Sequence, residues 1–156
     1  MGLERTIEHL KEFNAHERII LLDESLATVA LAAQGLGVEP DRIAKSLGFR
    51  TNEGPILIVV SGEARIDNRK FKDQYHQKAK MLSAQETSEY LRMPIGGVCP
   101  FGLPEEIPVY LDISLKKYDT VFPSCGAINS AIEVTPEEIE RFSRAQSWVD
   151  VTKEIK

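Results

Sequence analysis

The chain has 156 residues, of which 42% are hydrophobic and 28% charged, and its formal net charge is -5. This length and composition are typical of one folded domain over residues 1–156, and they exclude a disordered chain and a disulfide-dense scaffold. The longest apolar run, Pro55 to Val60, is far shorter than the roughly 18 to 20 residues that cross a bilayer, and the N-terminus lacks the pattern of a signal peptide. We therefore expect a cytosolic protein without membrane association, whose Cys99 and Cys125 are free thiols.

Positive charge is concentrated in one quarter of the chain. Residues 42–80 hold nine Lys or Arg against four acidic residues, a local balance of +5, so the remainder sums to -10. A solvated helix face explains this asymmetry, and so does a surface that meets a polyanion. The overall negative charge argues mildly against a nucleic-acid partner, because such partners usually meet basic surfaces.

Hydrophobic spacing predicts the first half of the fold. Apolar residues at helical intervals predict helices over residues 3–14 and 26–36, with a strand at 19–22 between them. Lys45 follows the short helical turn that Pro40 opens. Two apolar strands, Leu47–Arg50 and Ile56–Val60, flank the next turn and should form the centre of the sheet.

The second half begins with two predicted helices. Asp67 is the expected N-cap of a helix that ends near Gln74, and Ser83 with Glu86 forms a capping-box pattern for a helix that ends near Leu91. Residues 93–104 contain three Pro and three Gly, too many for a helix or a central strand, so they form a shaped loop.

Strands and one last helix should complete the chain. Strands are predicted at 109–111, 120–122 and 128–134. Thr135 as N-cap, Pro136 at the first helical position and Glu138 in a capping box predict that the last helix begins there. The sequence therefore predicts one α/β domain of the α+β type, a mixed central sheet flanked by helices.

Several kinds of catalytic site are excluded by the spacing of the reactive residues. The His and Cys residues show none of the close pairings of zinc or iron sites, so we expect neither metal nor cofactor. The sequence also lacks a P-loop, a dinucleotide-binding glycine motif and a nucleophile elbow. Cys99 lies in the glycine-rich loop, where either a thiol nucleophile or a small packing residue is consistent with the sequence, and packing is the simpler interpretation.

Three short segments remain as candidates for a site. They are Lys45 at the entry to a strand, the loop Gly96-Gly97-Val98-Cys99-Pro100, and Pro123 to Ala127 between two strands. Glycines let the main chain approach a ligand closely, so exposed N–H groups could converge on a carbonyl oxygen or a phosphate. The residues by themselves thus indicate a pocket for an anionic ligand.

These segments resemble the YbaK/EbsC family, the free-standing relatives of the editing domain of bacterial prolyl-tRNA synthetase. The similarity rests on four motifs in order: Ile43-Ala-Lys-Ser-Leu-Gly-Phe49, Gly96-Gly-Val-Cys-Pro-Phe-Gly102, Pro108-Val-Tyr-Leu-Asp112 with the small-residue turn around Gly126, and Ile132-Glu-Val134 before the last helix. The chain departs from the family pattern at Gly48, where an aliphatic residue is usual, and at Ala131, where some cysteine-type members carry an acid.

The resemblance implies a trans-editing deacylase that hydrolyses the ester of a mischarged tRNA without a metal or cofactor. It implies that Lys45 holds the terminal nucleotide as a point charge and that Gly96 and Gly97 offer N–H groups to the ester carbonyl. The aminoacyl pocket would be formed with Ser46, Pro100, Ser124 and Gly126.

The expected substrate carries a small amino acid such as Ala or Cys, on tRNA-Pro, and the amino acid and tRNA stay open at this point. The expected partners are the mischarged tRNA and, as a further option, a synthetase, with the protein itself a monomer. The alternative is a non-catalytic RNA-binding or synthetase-associated module of the same fold.

Overall fold

A computed structural model describes residues 2–154 of the chain. Within these residues, five α-helices alternate irregularly with nine strands. The helices are α1 Gly2–Lys11, α2 Val29–Leu36, α3 Asn68–Tyr75, the short α4 Ala84–Glu86, which continues as a π-helical turn Thr87–Leu91, and α5 Pro136–Ser143. The strands are β1 Ile20–Leu21, β2 Ile43–Thr51, β3 Gly54–Ser61, β4 Arg65–Ile66, β5 Val109–Asp112, β6 Phe122–Pro123, β7 Ser130–Ala131, β8 Ser147–Val149 and β9 Thr152–Lys153.

The main sheet has five strands in the order β6-β2-β3-β5-β8. Strands β2 and β3 form an antiparallel hairpin, whereas β2–β6, β3–β5 and β5–β8 are parallel pairs. Two small ladders, β1–β7 and β4–β9, lie outside this sheet. The predicted class, a mixed sheet flanked by helices with the β2–β3 hairpin at its centre, is confirmed.

Side chains from the two faces of the sheet form separate hydrophobic clusters. Leu57 and Val59 of β3 point into the larger one, together with residues of α1, α5 and the loop before β5. Ile58 and Val60 point to the other face, where Phe49 and Phe71 complete a second cluster. Strand β3 is buried on both faces, which explains why its residues 55–60 are all apolar rather than alternating.

Local capping signals predicted the helix starts well. Asp67 accepts hydrogen bonds from the N–H groups of Arg69 and Lys70, and complete capping boxes start α4 at Ser83 and α5 at Thr135. The helix expected to reach Leu91 changes to π-helical winding after Glu86. Within residues 2–154, no helix has the length and apolar character needed to span a membrane.

One predicted strand needs correction, and three short strands of the structure were not predicted. The expected strand at 128–134 is limited to Ser130–Ala131 and an isolated bridge between Val134 and Val121. Strands β4, β8 and β9 were not predicted, because each is only two or three residues long and is specified by a partner far away in sequence. The pairs Tyr110 with Ser147 and Arg65 with Lys153 show this distance.

Candidate functional site

A cavity of about 390 Å³ lies beside the edge of β2 that faces away from β3. Its apolar wall contains a third cluster of buried residues, Leu26, Ala32, Ile43, Phe122 and Ala131. Its volume lies near the lower end of the range for small-molecule pockets. The rest of the wall is formed by β2 itself, residues 81–87 and the glycine-rich loop.

The cavity exists because the outer edge of β2 is paired only at its two ends. Strand β6 pairs with Ile43 and Ala44, and at the other end Met81 forms a bridge with Phe49. Between these contacts the edge is open over residues 45–47. An unpaired strand edge carries free N–H and C=O groups, so the gap gives the cavity a polar wall.

Lys45, the third residue of β2, lines this gap and is half-buried. Burial lowers the pKa of its ammonium, as does the nearby Arg65, whereas Asp41 acts in the opposite direction. Among residues 2–154, no carboxylate forms an ion pair with Lys45. A partly desolvated cation without a counter-ion is suited to bind an anionic or strongly polar ligand group.

The glycine-rich loop contributes Gly96 and Val98 to the cavity wall. Gly96 has φ +85°, and a Cβ built there would lie 2.7 Å from Cβ of Ala27, so both its backbone conformation and its surroundings require glycine. Within the described part of the chain, the N–H groups of Gly96 and Val98 donate to no protein acceptor. The fold therefore uses neither of these two donors.

Gly97 occupies a different position from its neighbour. It is buried outside the cavity lining, and its N–H donates to the carbonyl of Pro94 at 2.9 Å. The role predicted for this N–H, donation to an ester carbonyl, would require that turn to open. Gly96 is thus the better placed of the two predicted donors.

The four predicted substrate-binding residues divide into two pairs. Ser46 and Ser124 line the cavity, whereas Pro100 and Gly126 are buried outside its lining. Gly126 packs against the start of α1: a Cβ added there would lie 2.4 Å from main-chain atoms of Gly2. We infer that Gly126 shapes the loop that carries Ser124.

Both cysteines are buried free thiols in the larger cluster. Burial raises the pKa of Cys99 to about 11, although weak hydrogen bonds with Thr6 and the carbonyl of Phe101 oppose this shift. Burial also raises the pKa of Cys125 well above its ordinary value. A thiol that is uncharged and inaccessible at neutral pH is a poor nucleophile, which favours a packing role.

Several cavity residues were not predicted from the sequence. In the sequence, Leu26 and Ala32 look like ordinary core residues of α2 and the loop before it. Met81 and Ile95 are distinguished from other apolar residues only by their positions in the structure. These two apolar side chains line the cavity yet are 59% and 56% exposed. Large apolar side chains left exposed at a cavity mouth are typical of ligand-binding sites.

The fold and the site together define a mixed α/β domain with a cavity lined by an apolar cluster, a half-buried lysine and the glycine-rich loop. In residues 2–154, no group of three or more His, Cys, Asp or Glu could hold a metal ion. The family described as "Aminoacyl-tRNA editing domain" matches residues 23–142, which include the whole cavity lining. The chain belongs to this family, and its resemblance to YbaK/EbsC proteins is confirmed.

Individual relatives agree with this assignment. YwhH of Bacillus subtilis, an uncharacterized protein, is 48% identical over 156 residues, 99% of each chain. EbsC of Enterococcus faecalis, which carries the name of a Cys-tRNA(Pro)/Cys-tRNA(Cys) deacylase, is 32% identical over 78% of this chain and 76% of its own. A crystal structure described as that of a trans-editing enzyme for prolyl tRNA synthetase superposes with a TM-score of 0.86 and 29% identity over 97% of each chain.

Proposed function

We propose that this protein is a trans-editing deacylase that hydrolyses the ester between a small amino acid, such as Ala or Cys, and a mischarged tRNA, with tRNA-Pro as the expected carrier. The observation that supports this most directly is the convergence of Lys45, Ser46 and Gly96 on one cavity. These residues come from motifs about fifty positions apart in the sequence. The proposal places the protein where charged tRNA is used, in the cytoplasm.

In this mechanism the chain positions an ester that is already reactive. The ammonium of Lys45 holds a phosphate or hydroxyl of the terminal nucleotide as a point charge. The free N–H of Gly96 stabilises the negative charge that develops on the carbonyl oxygen as water attacks, and one such donor is typically worth roughly 3 to 4 kcal/mol. The attacking water is oriented partly by the ribose hydroxyl of the substrate, so no metal or cofactor is required.

Selectivity follows from the size and polarity of the cavity. A methylene group contributes only about 1 to 3 kcal/mol of discrimination, so larger amino acids must be excluded sterically by walls such as Leu26 and Phe122. Ala131 lines the cavity and offers no carboxylate. The name of EbsC supports cysteine as the edited residue, whereas the missing carboxylate at Ala131 supports alanine.

The direct test is hydrolysis of alanyl-, cysteinyl- and seryl-tRNA-Pro by the purified protein, followed as loss of the ester. We expect at least one of these esters to be hydrolysed well above the rate in buffer. Binding of the charged tRNA without ester loss would instead support a non-catalytic RNA-binding or synthetase-associated module. Addition of prolyl-tRNA synthetase to the same assay tests whether a synthetase partner increases the rate.

Lys45→Met tests the role of the ammonium while retaining the length of the side chain. Hydrogen bonds to charged groups contribute about 1.5 to 3 kcal/mol, so kcat/KM should fall roughly 10- to 100-fold. Lys11→Met replaces an exposed lysine at the end of α1, outside both the cavity and the basic segment 42–80, and is the matched control that should retain full activity. Equal activity of the two variants would refute the role assigned to Lys45.

A further inference from the structure

Five side-chain hydroxyls line the cavity, and the fold uses four of them. Those of Thr28, Thr87, Ser124 and Ser130 each form a hydrogen bond with a main-chain group three or four residues away. The hydroxyl of Ser46 is buried and has no partner within the described chain. Since buried polar groups are normally hydrogen-bonded, this exception indicates a group that a ligand satisfies.

The main chain of Ser46 also faces the cavity. At the far end of the gap, the N–H of Arg50 donates to the carbonyl of Lys80, and the carbonyl of Gly48 accepts from Leu82. Even-numbered residues of β2 therefore direct their N–H and C=O groups away from β3. In an antiparallel strand this direction repeats every second residue, so both main-chain groups of Ser46 point toward the gap.

In the part of the chain that the structure describes, no other strand reaches these two groups. The parallel pairing with β6 ends at Ala44 and Pro123. The next hydrogen bond of this ladder would join the N–H of Ser46 to the carbonyl of Ser124. On the other side, the segment that carries Leu82 ends its pairing at Gly48. Across residues 2–154, Ser46 thus offers a donor, an acceptor and a hydroxyl that remain unused.

We propose that the aminoacyl group of the substrate binds Ser46 as a one-residue strand added to the sheet, an inference that rests on the proposed function. In an antiparallel hydrogen-bonded pair, two opposite residues exchange both of their main-chain bonds. An aminoacyl ester carries the same two groups on either side of its Cα. Its α-ammonium donates to the carbonyl of Ser46, and its ester carbonyl accepts from the N–H of Ser46.

This pairing makes the Ser46 N–H a main-chain donor in the reaction. Water adds to the carbonyl carbon, and the electron pair of the C=O bond moves onto the oxygen that this N–H faces. The electron pair then returns to re-form the C=O bond as the bond between the carbonyl carbon and the ribose oxygen breaks. The ribose oxygen takes up one proton from the water, and the amino acid leaves with the water oxygen in its carboxyl group. Residues paired across a sheet place their side chains on the same face, so the amino-acid side chain lies beside the Ser46 hydroxyl.

The first test replaces single main-chain amides by esters, which removes one N–H at a time. At Ser46 we expect kcat/KM to fall about 10²- to 10³-fold, the usual effect of losing one oxyanion donor. The loss of Tm should be small, because no protein hydrogen bond is removed and only the carbonyl of Lys45, which faces β3, becomes a weaker acceptor. The same replacement at Leu57 of β3 is the matched control, because its N–H donates to the carbonyl of Pro108 at 3.0 Å and the residue lies outside the cavity lining. It should lower Tm and leave kcat/KM within about threefold.

Two results of this comparison would overturn the inference. One is a Ser46 ester variant that retains activity. The other is a Ser46 ester variant that loses as much Tm as the Leu57 variant, which would mean that the N–H is already bonded within the protein. Ser46→Ala, which keeps the main chain, should lose less than tenfold, since it removes only one uncharged hydroxyl.

A binding measurement separates this inference from the proposed function. The probe is adenosine with alanine attached through a 3′-amide, which cannot be hydrolysed as an ester, compared with the same compound lacking the α-amino group. We expect the first to bind at least tenfold more tightly and to shift the amide resonance of Ser46. If the protein binds this probe through Ser46 and hydrolyses no ester, the deacylase proposal fails and the inference holds. Equal affinity for the two compounds, or no binding of either, refutes the inference.

Discussion

The substitution Asp41→Asn tests how the turn before β2 is held in place. Asp41 is buried in the turn Pro40–Arg42, two residues before that strand begins. Its carboxylate accepts hydrogen bonds from Lys117 at 2.9 Å, from the hydroxyl of Tyr118 at 2.7 Å and from the N–H of Glu63 at 2.9 Å. Because these donors attach the turn to other parts of the fold, we expect the substitution to lower the free energy of unfolding.

The magnitude follows from the pKa of Asp41. Burial alone would raise this pKa, but the hydrogen bonds from Lys117, Tyr118 and Glu63 outweigh burial and lower it from 3.8 to about 2. That difference corresponds to about 2 kcal/mol of stability at neutral pH. Because the folded-state pKa is the lower one, the contribution is complete above about pH 4 to 5 and disappears as the pH falls toward 2.

Urea unfolding of the wild type and of Asp41→Asn at pH 7, 5, 4 and 3 measures this contribution. We expect a difference of about 2 kcal/mol at pH 7 that shrinks to about 1 kcal/mol at pH 3. Asp119→Asn, which changes an exposed carboxylate, is the control and should stay within about 0.5 kcal/mol of wild type. A difference that is the same at pH 3 and pH 7 would show that the charge of Asp41 is not what stabilises the turn.

Two further substitutions test the site itself. Gly96→Ala should lower kcat/KM at least about tenfold, because the new Cβ would lie 2.7 Å from Cβ of Ala27 and the backbone conformation there favours glycine. A Gly96→Ala variant with full wild-type deacylation would exclude a role for this main-chain segment. Cys99→Ala should keep kcat/KM within about twofold while the free energy of unfolding falls by about 1 kcal/mol, since the thiol is buried and uncharged. Loss of deacylation in a folded Cys99→Ala protein would point instead to a thiol nucleophile.

Much of the secondary structure could be read from short-range signals. The caps at Asp67, Ser83 and Thr135 act within three or four residues of their own positions, so the helix starts were predictable without any tertiary contact. The β2–β3 hairpin is equally local, because two residues connect its strands. The resemblance of the motifs around Lys45 and Gly96 also identified the family before the cavity was known.

What the sequence by itself determined is therefore the set of helices, the central hairpin, the family and the residue types at the site. Only the tertiary structure decided that Gly97 closes a turn while Gly96 faces the cavity, and that the edge of β2 stays open at Ser46. Both outcomes depend on where β6 and residues 80–82 stop pairing with β2. Such endpoints are set by packing between segments far apart in the chain, and local propensity contains no information about them.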